Sequence, residues 1–236
     1  MGRTPVWRFD LMKLCILELD SPSDPHVSDF GDYGDMFENW LSPTLPEAQF
    51  SRIKLDQTGR LPGLTDYDGY LLSGCRYGVY DAIAWKEDLQ HFLRQARDIG
   101  LPFGGVCFGH QIIADTFGAT VRKSDQGWVV GKETYAGKSA FAVHQDQVLT
   151  APDSAKSVSG SARCPIGRID YAFPALSVQY HPEFTAPYFD AFLTAWRGNP
   201  VPASLVDAAL PDLTADLNCD GIAADFARVF RTRGPS

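Results

Sequence analysis

The chain has 236 residues, of which 44% are hydrophobic and 21% charged, a composition typical of a globular protein with its own core. A formal net charge of −8 argues against binding to a nucleic-acid backbone or an anionic membrane surface. Five cysteines without a C-x-x-C pair, no readable signal peptide and no apolar run of about 18 residues predict a reduced, cytoplasmic protein without disulfides or membrane spans.

Strands and helices are predicted to alternate in the first part of the chain, after an N-terminal piece over residues 1–12. Residues 13–19 and 68–73 are short apolar runs typical of buried strands, and residues 49–55 alternate as a half-buried strand does. Residues 28–42 carry apolar side chains at intervals of three and four, which predicts an amphipathic helix despite two glycines.

The strongest helical pattern covers residues 85–99. Its apolar side chains share one face, Asp81 is predicted to cap its start, and Gly100 is predicted to end it. A strand over residues 101–106 and a short helix over residues 109–117 follow directly.

The second half of the chain is richer in strands. Residues 119–180 alternate strand-like runs with turns, the last clear strand lies at 176–180, and a helix is predicted over 185–196. Residues 198–202 resemble a linker, and residues 203–233 are predicted to form one or two helices. The pattern predicts an α/β fold with a parallel sheet covered on both faces. We divide the chain into a catalytic domain, 1–198, and a C-terminal helical extension, 199–236.

A cysteine occupies the turn between the predicted strand 101–106 and the helix that follows it. The pattern Gly105-x-Cys107-x-Gly109 places glycines where side chains would collide across a sharp strand-to-helix corner. The positive end of the helix favours the thiolate form of the cysteine. The backbone N–H of Phe108 would face the oxyanion of a tetrahedral intermediate. A cysteine considered alone is more often a small buried hydrophobe.

The segment His181-Pro182-Glu183 offers a base and a group that can orient it. Proline pushes the preceding histidine into an extended conformation, in which residues two apart share a side. Glu183 can therefore bind one ring nitrogen of His181 while the other faces Cys107, as in a nucleophile–base–orienter triad. A strand-end histidine beside an exposed glutamate would be the more common interpretation of this segment by itself.

Residues 105–111 (Gly-Val-Cys-Phe-Gly-His-Gln) and 179–184 (Gln-Tyr-His-Pro-Glu-Phe) resemble the class I, triad-type glutamine amidotransferase family over residues 13–196. Four further segments, 31–41, 77–81, 127–131 and 143–148, resemble the stand-alone, GMP-synthase-like branch of that family. This branch includes plant gamma-glutamyl peptidases. The resemblance implies a flavodoxin-like three-layer sandwich with a mostly parallel central sheet and an antiparallel β ribbon.

The resemblance also implies roles for individual residues. Cys107 would attack the γ-carboxamide of glutamine, form a γ-glutamyl thioester and release ammonia, with His181 as acid and base and Glu183 orienting it. The second oxyanion donor would be the N–H of Gly74 or Cys75, because the family's glycine-rich turn aligns there. Substrate-binding residues would be Gln111, His144, Gln145 and Asp146.

The sequence predicts no cofactor and no metal, since phosphate-binding loops and zinc motifs are missing from it. Three functions remain open at this point. The first is a glutaminase that feeds an ammonia-consuming synthetase subunit. The second is a stand-alone gamma-glutamyl peptidase or hydrolase that acts on glutathione-like conjugates. The third is a flavodoxin-like redox sensor, which would not need His181.

Overall fold

A seven-stranded sheet forms the centre of the computed structural model, which describes residues 11–21, 27–214 and 216–232. The predicted N-terminal piece, apart from its last two residues, lies outside the described residues. In spatial order the strands are β2 (Ala48–Lys54), β1 (Met12–Glu18), β3 (Gly69–Leu72), β4 (Phe103–Val106), β11 (Ala175–Val178), β10 (Arg168–Tyr171) and β9 (Ala155–Ser159). The first five run parallel, and β10 is antiparallel to both of its neighbours, β11 and β9.

Helices cover both faces of this sheet, which confirms the predicted α/β sandwich with a mostly parallel sheet. The helices are α1 (Val27–Phe30), α2 (Tyr33–Leu41), α3 (Leu55–Thr58), α4 (Lys86–Asp98), α5 (Phe108–Thr116), α6 (Ala186–Trp196), α7 (Ala203–Ala209) and α8 (Cys219–Phe230), with a 3₁₀ helix at Leu210–Thr214. Helices α4 and α5 share a core with one face, and α2 and α8 share a core with the other.

Two antiparallel ribbons extend the fold beyond the sheet. One pairs β5 (Val121–Lys123) with β8 (Asp146–Val148), and the other pairs β6 (Val129–Tyr135) with β7 (Lys138–His144). The predicted antiparallel element is therefore present as two separate ribbons. Together they bring residues 144–146 to the carboxyl edge of the sheet, where ligands bind in folds with this strand order.

The prediction of one continuous helix over residues 28–42 is wrong. Gly31 adopts a φ of 82°, which interrupts the helical path between α1 and α2. Asp32 then caps α2 through a capping box, accepting from the backbone N–H of Asp35 while the Asp35 carboxylate accepts from the N–H of Asp32. A left-handed glycine and a reciprocal cap outweigh the continuous apolar periodicity.

The predicted N-cap of α4 is also wrong. Trp85 occupies that position, and no side-chain hydrogen bond caps the helix. The Asp81 carboxylate instead accepts a hydrogen bond of 2.8 Å from the backbone N–H of Gly78, inside the preceding turn. This local turn competes for the carboxylate that the helix would otherwise have used.

The last helix of the chain packs onto the central sheet. Ile222 and Phe226 of α8 are fully buried and belong to the same core cluster as Val106 and Leu176 of the sheet. Trp40 of α2 donates a hydrogen bond of 2.9 Å from Nε1 to the carbonyl of Cys219. The division of the chain at residue 198 stays a prediction, and the segment beyond it supplies part of the layer that covers one sheet face.

Replacement of Asp225 with alanine is expected to lower the free energy of unfolding by about 3 kcal/mol, because Lys138 and Nη1 of the buried Arg168 lose their carboxylate partner while Asp170 still binds the rest of the guanidinium. The Asp225 carboxylate binds Arg168 at 2.6 Å and Lys138 at 2.5 Å, and the Asp225 and Arg168 side chains are 7% and 8% exposed. Arg228→Ala is the control, because this 74% exposed partner of the same carboxylate should contribute less than about 1 kcal/mol. Urea unfolding followed by circular dichroism measures both, and equal small losses would contradict the prediction.

Candidate active site

Cys107 lies at a strained turn between β4 and α5. Its φ of 54° and ψ of −108° are rarely adopted by residues with a side chain. A Cβ on Gly105 would lie 2.5 Å from the carbonyl oxygen of Gly109, and a Cβ on Gly109 would lie 2.5 Å from the carbonyl oxygen of Leu72. Both flanking positions therefore require glycine, and the strain holds the sulfur at the edge of the sheet.

Glycine at position 107 is expected to give a protein more stable than alanine at the same position, by about 1 kcal/mol, because glycine tolerates a positive φ. Cys219 provides the matched control. At this first residue of α8, glycine should be less stable than alanine by roughly 0.5–1 kcal/mol. Urea unfolding of the four variants tests the sign of each difference, and alanine equal to or above glycine at position 107 would refute the strain.

His181 and Glu183 lie beside Cys107 because β4 and β11 are parallel neighbours. Val106 pairs in register with Val178, so the segments that follow them leave the sheet at the same edge. The His181 backbone N–H donates to the carbonyl of Phe141 at 2.6 Å, and Nδ1 of the ring is 2.7 Å from Glu183 Oε1. A Cβ built on Gly74 would lie 3.4 Å from Cε1 of this ring and 3.7 Å from the Cβ of Cys107, so the imidazole and the cysteine border the same small space. Because Glu183 occupies Nδ1, Nε2 is the nitrogen left for the sulfur.

The environment of His181 favours its charged form. Burial opposes protonation, but the charge of Glu183, the nearby Cys107 and the hydrogen bond to Glu183 outweigh it and raise the His181 pKa to about 10. The Phe184 ring stacks on the imidazole at 4.1 Å between centroids with an interplanar angle of 6°. His181 is therefore held in one orientation and carries a proton at neutral pH.

Two backbone N–H groups near Cys107 are the candidate oxyanion donors. Phe108 is the first residue of α5, so its N–H has no partner within the helix. A Cβ built on Gly74 would lie 3.7 Å from the Cβ of Cys107. The Gly74 carbonyl accepts a hydrogen bond of 2.9 Å from the Ser73 hydroxyl. Because a trans peptide directs its N–H away from its carbonyl, this bond favours the Cys75 N–H over that of Gly74 as the second oxyanion donor.

Gln179 belongs to the site and was not singled out from the sequence. Its Nε2 donates to Cys107 Sγ at 3.7 Å, and its Oε1 accepts from Gln111 Nε2 at 3.1 Å. Gln111 Nε2 is also 3.1 Å from the carbonyl of Asp146. The sequence contained a usable signal, because a residue two positions before His181 shares its side of an extended segment.

The predicted substrate-binding residues come together on one side of Cys107. His144 Nδ1 is 3.0 Å from the Asp146 carbonyl, and burial lowers the His144 pKa to about 3. The ring is therefore neutral and donates from Nδ1, which leaves Nε2 as a buried acceptor without a partner among the described residues. The Asp146 carboxylate accepts from the Tyr80 hydroxyl at 2.9 Å. Gln145 lies between them and lines the same cavity.

These residues line a cavity of about 440 Å³ that opens over Cys107 and His181. Its walls also include Cys75, Asp81, Lys123, Trp128 and Trp196. Across residues 11–21, 27–214 and 216–232, no group of three or more histidine, cysteine or acidic side chains could hold a metal ion. Within the same ranges, no helix has both the length and the apolar character needed to span a bilayer.

A mostly parallel sheet of this order with a cysteine at a strand-to-helix turn defines a flavodoxin-like α/β protein with a thiol at the carboxyl edge of its parallel strands. The model of the glutamine amidotransferase class-I family matches residues 32–196, more than half of the chain. The chain belongs to this family, as the sequence motifs predict.

Two individual proteins that resemble the chain share less than 30% of their aligned residues with it. The chain is 27% identical over 169 residues to gamma-glutamyl peptidase 4 of Arabidopsis thaliana, covering 64% of each protein. It is 28% identical over 166 residues to the glutamine-hydrolyzing GMP synthase of Mycobacterium leprae, covering 64% of this chain and 30% of that one. The chain thus spans slightly under two thirds of the peptidase. A glutamine amidotransferase structure from Thermotoga maritima shares the fold, with a TM-score of 0.68, 17% identity and coverage of 94% and 96% of the two chains.

Proposed function

We propose that the protein hydrolyses the γ-amide bond of glutamine or of a γ-glutamyl amide through a thioester on Cys107. The observation that carries this proposal is the Cys107–His181–Glu183 arrangement, with a 2.7 Å contact between the imidazole and the carboxylate. Covalent acyl transfer requires a nucleophile, a base next to the nucleophile, and a group that orients the base.

In the first half of the reaction, the thiolate of Cys107 attacks the carbonyl carbon of the amide. The developing oxyanion is stabilised by the N–H groups of Phe108 and Cys75. His181 then transfers its proton to the departing nitrogen, and the C–N bond breaks to release ammonia or an amine. Preorganised donors are effective here because they need no rearrangement as charge develops.

In the second half, a water molecule attacks the thioester carbonyl. Neutral His181 now accepts the proton from water, and the sulfur leaves as the thiolate, which releases glutamate and restores the ion pair. The Glu183 carboxylate, at 2.7 Å from Nδ1, stabilises the imidazolium each time it forms.

The cavity favours a γ-glutamyl amide hydrolase that works without a partner. Its volume of about 440 Å³ lies within the range of roughly 300–1,000 Å³ that small-molecule sites occupy, and it is open to solvent. The likeness to gamma-glutamyl peptidases supports the same interpretation. The likeness to GMP synthases supports a second candidate, a glutaminase that supplies ammonia to a synthetase partner.

Incubation of the purified protein with glutamine and with γ-glutamyl anilide separates these candidates. Ammonia and aniline are quantified, and acid-quenched protein is analysed by mass spectrometry for a glutamyl adduct on Cys107. Faster release of aniline than of ammonia supports the independent hydrolase, and slow release of ammonia alone supports the glutaminase subunit. Failure to form an adduct or hydrolyse either compound, together with ready oxidation of Cys107, would refute both and favour a redox sensor.

A further inference from the structure

Five of the residues that line the cavity are apolar, and we call them the aromatic wall because four of them are aromatic: Trp128, Phe184, Phe192, Trp196 and Pro200. Phe192 and Trp196 are in contact at 4.3 Å between centroids. Phe184 and Phe192 are buried, whereas Trp128 and Trp196 are half-buried and form part of the cavity surface. The aromatic wall contains no ionisable group.

A second group of lining residues carries the charges, and we call it the charged wall: Arg76, Tyr80, Asp81, Lys123 and Asp146. Lys123 and Asp146 are paired residues of neighbouring strands in the ribbon of β5 and β8, so their charges lie together. Tyr80 joins the loop after β3 to this ribbon through its bond to the Asp146 carboxylate. Arg76 is fixed by a contact of 2.7 Å to the buried carboxylate of Asp20.

The reacting groups are connected to both walls. From the charged wall, hydrogen bonds run from the Asp146 carbonyl through Gln111 and Gln179 to the sulfur of Cys107. From the aromatic wall, Phe184 stacks directly on the His181 ring. A carbonyl under attack by Cys107 is therefore close to both walls.

A γ-glutamyl amide has the matching asymmetry. On one side of its scissile carbonyl is an α-ammonium and an α-carboxylate, which require opposite charges such as those of Asp146, Asp81, Lys123 and Arg76. On the other side is the amine that leaves. An uncharged aromatic surface binds flat apolar groups by stacking and burial, and offers no compensation for a charged amine substituent.

We propose that the leaving amine of the substrate carries an aromatic or other flat apolar group, which binds against Trp128 and Trp196. This inference rests on the proposed function. The sulfur–carbon bond forms first and gives the oxyanion; His181 then gives its proton to the nitrogen as the carbon–nitrogen bond breaks, and the free amine departs along the aromatic wall.

Three probes test the proposal: glutamine, γ-glutamyl methylamide and γ-glutamyl benzylamide. Methylamine and benzylamine are both alkylamines, so the two substituted amides differ mainly in the presence of the ring. We expect kcat/KM for the benzylamide to exceed that for the methylamide by about tenfold or more, because ring stacking and burial act only on the former. Release of each amine is measured by chromatography.

Variants of the aromatic wall locate the effect. Trp196→Ala and Trp128→Ala are expected to lower the benzylamide-to-methylamide ratio of kcat/KM about tenfold, whereas Trp196→Phe should retain most of it. Tyr77→Ala is the matched control, because this 46% exposed ring lines the cavity outside the aromatic wall and should leave the ratio unchanged. Both substrates are measured on one preparation, so partial unfolding lowers both rates equally and does not change the ratio.

The outcomes separate the inference from the function on which it rests. A ratio near one in the unmodified protein, with hydrolysis that depends on Cys107, overturns the inference and leaves the proposed function intact. A high ratio that neither tryptophan variant changes overturns the position of the leaving group. Hydrolysis of none of the three amides overturns the proposed function itself.

Discussion

Replacement of Cys107 with alanine is expected to lower kcat for the preferred γ-glutamyl amide by about 10⁴-fold or more. The variant retains the cavity, the oxyanion donors and the His181–Glu183 pair, but no atom can form the covalent bond to the substrate. Removal of the nucleophile therefore abolishes the thioester pathway, and what remains is the weak catalysis that binding and oxyanion stabilisation provide.

The measurement combines steady-state rates with alkylation by iodoacetamide at neutral pH. Burial raises the pKa values of the Cys15, Cys75, Cys164 and Cys219 thiols to between about 11 and 12, so these four remain protonated and react slowly. Cys107 should therefore carry the label, and its replacement should remove both label and activity. Cys219→Ala is the control and should keep both. Activity within tenfold of the original in Cys107→Ala would contradict the assignment of the nucleophile.

The geometry of this site could be predicted from the sequence because its constraints are local. Gly105 and Gly109 flank Cys107 for a steric reason that any sharp strand-to-helix turn shares. The same applies to His181 and Glu183, because alternation in an extended segment puts them on one side. Parallel neighbours in the sheet then bring the two segments together, which follows from the fold class.

The elements that could not be predicted depend on competition or on distant contacts. Apolar periodicity favoured a single helix over residues 28–42, and the conformation of Gly31 together with the capping box of Asp32 and Asp35 decides against it. Asp81 could have capped a helix or closed a turn, and both arrangements satisfy its carboxylate. The position of α8 depends on Phe226 packing against sheet residues more than a hundred positions earlier in the chain, which local patterns do not encode.

Replacement of Glu183 with glutamine is expected to lower kcat by about 10³–10⁴-fold and to shift the pH profile. The carboxylate is the strongest influence favouring the charged form of His181, whose pKa is raised to about 10 against the opposing effect of burial. The amide carries no negative charge, so the variant's His181 pKa should fall. An amide nitrogen beside Nδ1 would also favour the wrong tautomer, with the proton on the nitrogen that faces the sulfur.

The sign of the pH effect follows from the role of the imidazolium. The departing nitrogen needs its proton, so the rate should fall as pH rises through the His181 pKa, near 10 in the unmodified protein and lower in Glu183→Gln. Stability should follow the same direction. The pKa of His181 in the folded protein lies above its unfolded value of about 6.5. The contact between charged His181 and Glu183 therefore contributes fully to the free energy of unfolding below pH 6.5, and this contribution is lost as pH rises toward 10.

Profiles of kcat/KM against pH for both proteins test this expectation. Glu133→Gln is the matched control, because Glu133 is also a buried glutamate, 4% exposed, but its partners are Ser161 and Arg163, outside the cavity. That variant should be less stable than the unmodified protein, but its kcat/KM should fall at the same alkaline pH. If kcat/KM of Glu183→Gln falls at the same alkaline pH as that of the unmodified protein, the carboxylate does not set the charge of His181. The assigned role of Glu183 would then have to be abandoned.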